Sequence, residues 1–346
     1  MKRRTMLSKM LLMGGATAIK LDGKESPGLS MQNVRAAAAY SAGMRGKSML
    51  AIQHGKVIFE EYPNGFAANE AHKIYSGTKG FWNLAALAAE EDGILSLKER
   101  AADTITEWRE DRRKARITIR QLLDFTSGLD PYFELHGDGL SDRDELAVRR
   151  NLVAEPGDAF IYGPCSLQVF HLIMKRRMAK NRRSPTEYLE RRVLAPLGLG
   201  PQRYVADKSG NPLLASGFTL TARQWAQLGK AMLQEGRQVV SRDSLNKCAS
   251  GTSSNPAFSL GFWNNRIAGG SRAREVNVEN MLEEKWPKQH WGNACLQGNA
   301  PGDLIASIGS GSQRLYVVPS QNAVIVRQGR DSKFTDAEFL QLLFGR

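Results

Sequence analysis

Two hydrophobic periodicities take turns along this 346-residue chain. Apolar residues at helical spacing open it over residues 30–42. A period-two pattern then covers 48–53 and 56–62 on either side of His54-Gly55, which predicts a tight antiparallel hairpin. The next apolar stretch, 76–91, is broad (Phe81, Trp82, Leu84, Leu87 and several alanines) and reads as a helix passing from amphipathic to buried, ended by Gly93. Helical patterning dominates from Ile117 onward, through 166–178, 185–193 and 222–235, with Pro196, Asn211 and Pro212 as punctuation. Strand-like runs return at 304–308, 314–318 and 323–327, and 334–344 closes with an apolar period of three to four.

The order is sheet, helices, sheet. It predicts an α+β fold, an antiparallel sheet flanked by helices with an inserted helical lobe. Residues 26–115 and 241–346 are assigned to one α/β lobe and 116–240 to the mainly helical one. Residues 1–25 stand apart. They hold Arg3-Arg4, a short apolar run Met10-Leu11-Leu12-Met13 and the small-x-small pattern Ala16-Thr17-Ala18. This is the pattern of an export signal of the twin-arginine type, so the protein is expected in the periplasm or outside the cell. The run is too short and too interrupted to span a bilayer, and no later stretch reaches that length.

Composition changes this picture little: 42% hydrophobic and 24% charged residues suit an ordinary globular core. The net charge of +13 gathers partly in Lys175-Arg176-Arg177 and Lys180-Asn181-Arg182-Arg183. Few aromatics interleave these runs, so they read as solvated basic helix faces and no nucleic-acid partner is expected. Cys165, Cys248 and Cys295 show no C-x-x-C spacing, and the five histidines no H-E-x-x-H. Neither a disulfide framework nor a metal site follows, and no cofactor is expected.

Chemistry enters at Ser76-Gly77-Thr78-Lys79. A serine and a lysine three apart share one helix face. At a first helical turn the unpaired N–H groups and the macrodipole favour negative charge on the serine and a neutral lysine. A nucleophilic serine assisted by lysine needs both. Ser244-Leu245-Asn246-Lys247 has the same spacing but Gly251 and its neighbours break any helix soon after, so it reads as a cap with a solvated lysine. Tyr162 follows the turn Glu155-Pro156-Gly157-Asp158; beside Lys79 its phenolate would be favoured, making it a candidate general base. Gly309-Ser310-Gly311-Ser312, between two strand-like runs, is small enough to let a substrate carbonyl approach backbone donors. Trp263, Trp286 and Trp291, with Phe258 and Phe262, lie in an irregular segment that packs as core or walls an acyl site. No serine has glycine two positions away on both sides, so the chain has no nucleophile elbow.

Together these elements resemble the class C β-lactamase-related, penicillin-recognising serine hydrolases, a group of esterases, D-peptidases and amide hydrolases. Ser76-Gly77-Thr78-Lys79 matches the family's S-x-x-K, Tyr162-Gly163-Pro164 its Y-x-N, and Gly309-Ser310-Gly311 the place of K-T-G. Connectors such as residues 119–129 and 220–229 are also similar to the family's. The resemblance implies a seryl acyl-enzyme on Ser76, acid–base work by Lys79 and Tyr162, an oxyanion held by the N–H groups of Ser76 and Ser312, and substrate contacts at Gly309, Ser310 and Gly311. The substrate is expected to be a small-molecule or peptide-like ester or amide. Pro164 replaces the asparagine and Gly309 the lysine that relatives use on carboxylated substrates, so a carboxylesterase or amidase is expected ahead of a strong β-lactamase. The rival expectation is a non-hydrolytic binder of cell-wall peptides or envelope polymers.

Overall fold

The computed structural model describes residues 28–234 and 238–345. The expected export signal lies outside the described residues. Among these, no helix is long and apolar enough to cross a membrane.

Helix α1 (Met31–Gly43) leads into the hairpin of β1 (Gly46–Gln53) and β2 (Lys56–Glu61). The short strand β3 (His72–Lys73) and a 3₁₀ turn, Tyr75–Gly77, precede α2 (Thr78–Glu91). Then come α3 (Ile119–Leu123), α4 (Arg143–Val148), α5 (Pro164–Met178), α6 (Pro185–Leu189), β4 (Thr219–Leu220) and α7 (Ala222–Met232). The last third holds α8 (Arg242–Asn246), β5 (Phe258–Ser259), β6 (Phe262–Asn264), β7 (Arg274–Glu275), α9 (Val278–Glu283) and β8 (Ala294–Cys295). Strands β9 (Ile305–Gly309), β10 (Gln313–Val318) and β11 (Ala323–Gly329) and helix α10 (Asp336–Phe344) end the chain. The fold is α+β. Its seven-stranded sheet runs β2-β1-β11-β10-β9-β6-β5, with every adjacent pair antiparallel.

The predicted elements appear with shifted ends. The helix expected from Ser76 begins at Thr78, because Tyr75 sits at φ +46° and the chain enters through a 3₁₀ turn. The helix expected over 185–193 is α-helical only to Leu189 and widens into a π turn over Glu190–Leu194. Capping explains several sharp starts: Thr118, Ser184 and Thr221 each accept a hydrogen bond from the backbone three residues on and receive a reciprocal side chain there.

Successive residues of β10 point to opposite faces and identify the two layers. Leu315 meets α7, where Gly229 leaves no room for a Cβ against Leu315 and Val324. Tyr316 stacks on Phe339 of α10. α7, within the stretch assigned from sequence to the helical lobe, thus packs on the sheet. On the other face, fully buried Arg314 donates to Asp336 at 2.7 and 2.9 Å and ties α10 down.

Candidate active site

The Tyr75–Gly77 turn is held from three sides. Gly77 rests on Trp225 of α7, where a Cβ would lie 2.6 Å from the indole. Phe218 N–H donates to Thr78 Oγ1, and Ile74 N–H to Phe218 O at 3.0 Å. From the sheet, Ser307 Oγ donates to Gly77 O, and Gly309 lies so close to Ile74 O that any side chain there would collide. Tyr75, left-handed at φ +46°, carries strain of about 1–2 kcal/mol just before Ser76, which this packing sustains.

Lys79 occupies the second position of α2 and is 2% exposed. Its Nζ lies 2.8 Å from Ser76 Oγ and 2.8 Å from Ala215 O, both uncharged partners. Burial without a counter-ion brings the ammonium down to about 7. A substantial fraction of Lys79 is therefore neutral near pH 7, with Nζ in hydrogen-bond reach of the serine hydroxyl.

Tyr162 is delivered by a loop pinned to residues 124–131. Asp124 pairs with Arg120 and accepts from Leu260 N–H at 2.8 Å. Next to it, Phe125 O accepts from Ile161 N–H at 2.8 Å and Pro131 O from Cys165 N–H. Gly163 passes over Pro131, where a Cβ would lie 2.5 Å from the proline ring, and Pro164 starts α5. The Tyr162 ring sits 4.8 Å from Phe125 and under Lys79 Nζ, 4.7 Å from the ring centre. Burial pushes the phenol well above its usual value; the Ser76 hydroxyl offsets part of this and the Glu279 charge adds to it. This runs against the expected phenolate: the amine over the ring face is itself brought down to about 7, and burial favours the protonated phenol.

The third motif divides. Ser310 and Gly311 line the cavity, whereas Gly309 ends β9 against Ile74. Ser312 N–H donates to Glu279, at 3.2 Å from Oε2, and Ser312 O accepts from Arg327. The oxyanion donor expected at Ser312 is thus already bonded to a carboxylate. On β9 the strand alternation bears on Ile308. Asn265 N–H donates to Leu304 O, so residues 304, 306 and 308 turn their polar groups towards β6, and the β6 ladder ends at Ala306. Ile308, on the same side of β9, lies beyond the last β6 pair and lines the cavity.

The cavity above Ser76 measures about 810 Å³. Tyr75, Phe133, Trp263 and Leu282 give it apolar walls. Trp263 is backed by Trp291 at 5.0 Å and Phe258 at 5.0 Å, so one indole of the aromatic segment reaches the site while its neighbours are core. His136 lines the mouth; burial first and the Lys79 charge second hold its imidazole below the usual value. Cys165 is buried and turns its thiol to Ala147 O, away from the site. The sequence gives no signal for Phe133 or Glu279, sets His136 aside with the other histidines and leaves Ile308 as the residue before the third motif; Glu279 reaches the site through long-range packing that carries no local motif.

Residues 31–327 match the family model described as Beta-lactamase. Among solved structures, a putative 6-aminohexanoate-dimer hydrolase from Bacillus anthracis superposes with TM-score 0.63 at 16% identity, covering 89% of this chain and 79% of its own. A family VIII carboxylesterase gives 0.63 at 14% identity over 92% and 99%. A class C β-lactamase gives 0.63 at 15% over 90% and 95%. At these identities the likeness shows the fold. No curated protein sequence matches the chain.

Proposed function

Since the chain belongs to the β-lactamase family of serine hydrolases, we propose that it cleaves an ester or amide bond through an acyl-enzyme on Ser76, with Lys79 as the base. The observation that carries this is the 2.8 Å contact between Ser76 Oγ and a buried lysine whose other partner is a carbonyl. Ser76 Oγ attacks the substrate carbonyl carbon as neutral Lys79 takes its proton. The tetrahedral oxyanion is stabilised by the N–H groups of Ser76 and Ile308. Tyr162, protonated and beside Ser76, gives its proton to the leaving alcohol or amine as the bond breaks, and regains one from the Lys79 ammonium. Water then attacks the acyl-enzyme, loses a proton to the same pair, and releases the acid with Ser76 restored.

Loss of the third-motif lysine to Gly309 supports a substrate other than a carboxylated β-lactam. Export to the periplasm or beyond is proposed on the Arg3-Arg4 segment alone. The pH profile tests the base. The active form is neutral Lys79, so kcat/KM for a p-nitrophenyl ester should fall about tenfold per pH unit below about 7. It should show no matching loss from Tyr162 at moderately alkaline pH, because burial raises that group. A profile flat between pH 5 and 8 would contradict Lys79 as base.

A further inference from the structure

Glu279 stands on α9 and faces the cavity. Its carboxylate accepts from Ser312 N–H at 3.2 Å and pairs with Arg314 Nη2 at 2.8 Å. The guanidinium is fully buried, while the Glu279 side chain keeps 26% of its exposure. The cation therefore lies behind the carboxylate, and anything entering the cavity meets the carboxylate first. Its charge reaches the reacting groups, since it adds to the burial that holds the Tyr162 proton. β9 and the turn after it contribute Ile308, Ser310 and Gly311 to the lining, and so no balancing cation. Glu283 and Asp331 add negative charge to the lining, against Arg330 and the partly protonated Lys79, while the His136 imidazole is held below its usual value. The molecule as a whole carries +13, so a preference against anions must arise locally in the cavity.

We propose that Glu279 is a specificity-determining residue that turns the cavity against acyl groups bearing a carboxylate and towards neutral or ammonium-bearing ones. This rests on Ser76 being the acylated nucleophile. Within that reading it names the substrate class: esters or amides whose acyl portion is uncharged or ends in an amine. Like charges disfavour the carboxylated acyl group and opposite charges favour the amine, in a site partly shielded from water.

The test uses three p-nitrophenyl esters with the same six-carbon acyl chain: hexanoate, 6-aminohexanoate and adipate monoester. The wild-type protein should prefer the ammonium ester to the carboxylate ester in kcat/KM by about tenfold or more at low salt. Raising NaCl from 50 to 500 mM should narrow that ratio. Glu279→Gln keeps an acceptor for Ser312 and Arg314, and should shrink the ratio about fivefold. Glu279→Asp, which retains the charge, should keep the preference in direction. The salt series needs no variant, so the proposal stays testable if Glu279→Gln folds poorly. A wild-type ratio near one, or a preference unmoved by both salt and Glu279→Gln, overturns the inference while leaving the hydrolase reading intact. Failure of the wild-type protein to turn over even the neutral ester overturns the hydrolase reading, and this inference with it.

Discussion

Ser76→Ala is expected to lower kcat/KM for any ester or amide substrate by roughly 10⁴-fold or more while leaving the fold unchanged. The substitution removes one oxygen from a half-buried side chain in the Tyr75–Gly77 turn. Lys79 loses one hydrogen-bond partner and keeps Ala215 O at 2.8 Å. The contacts that hold the turn, from Gly77 on Trp225 to Ser307 Oγ on Gly77 O, do not involve the hydroxyl. The expected change in stability is therefore within about 1 kcal/mol. Steady-state kinetics beside a thermal melt check both parts. A variant that melts like the wild type and retains near-wild-type turnover contradicts the assignment.

The second large effect concerns the base, and it separates catalysis from stability in sign. Lys79→Met keeps an unbranched chain of similar length and removes the amine. Turnover should fall by about 10³–10⁴-fold, because the Ser76 proton has no acceptor. Stability should hold or rise. Lys79 is buried with no counter-ion, and an amine in that position gives up hydration that two neutral partners only partly replace. The same burial makes the wild-type protein sensitive to pH. Lys79 takes up a proton near 7 when folded and near its ordinary, much higher value when unfolded. Between those values the unfolded chain binds more protons, so this residue favours folding progressively more as pH rises through that window. Lys79→Met should remove that part of the slope. Thermal melts of both proteins from pH 7 to pH 10 measure it. A variant much less stable than the wild type, with the slope unchanged, would mean that Lys79 serves packing rather than proton transfer. Lys79→Arg should not rescue turnover, since a guanidinium cannot give up its proton in this range.

How much of this was legible beforehand differs from residue to residue. The Ser76–Lys79 spacing is local, and a helical turn carries such a pair wherever the rest of the chain goes, so the sequence sufficed to place the two side chains together. The hairpin at His54-Gly55 and the three closing strands were legible for the same reason: each is a short pattern closed by its own turn. The titration of Tyr162 was not legible. Its direction depends on Phe125, Phe258 and Trp263 closing around the ring, while burial also brings down the amine over the ring face. The donor expected at Ser312 meets a geometric obstacle. Motif order alone puts Ser312 after the third motif, but the β9–β10 turn aims its N–H at Glu279, and Ile308 lies beyond the last β6 pair. Glu279 itself sits in a long, weakly patterned segment, and its role comes from Arg314, Ser312 and Tyr162, all distant from it in the chain.

The central claim is that Ser76 is an activated nucleophile. Intact-protein mass spectrometry after exposure to a fluorophosphonate tests it most directly, with Ser76→Ala treated in parallel. One covalent adduct is expected on the wild-type protein and none on the variant. An adduct that persists on Ser76→Ala, or no adduct on correctly folded wild-type protein, would contradict it.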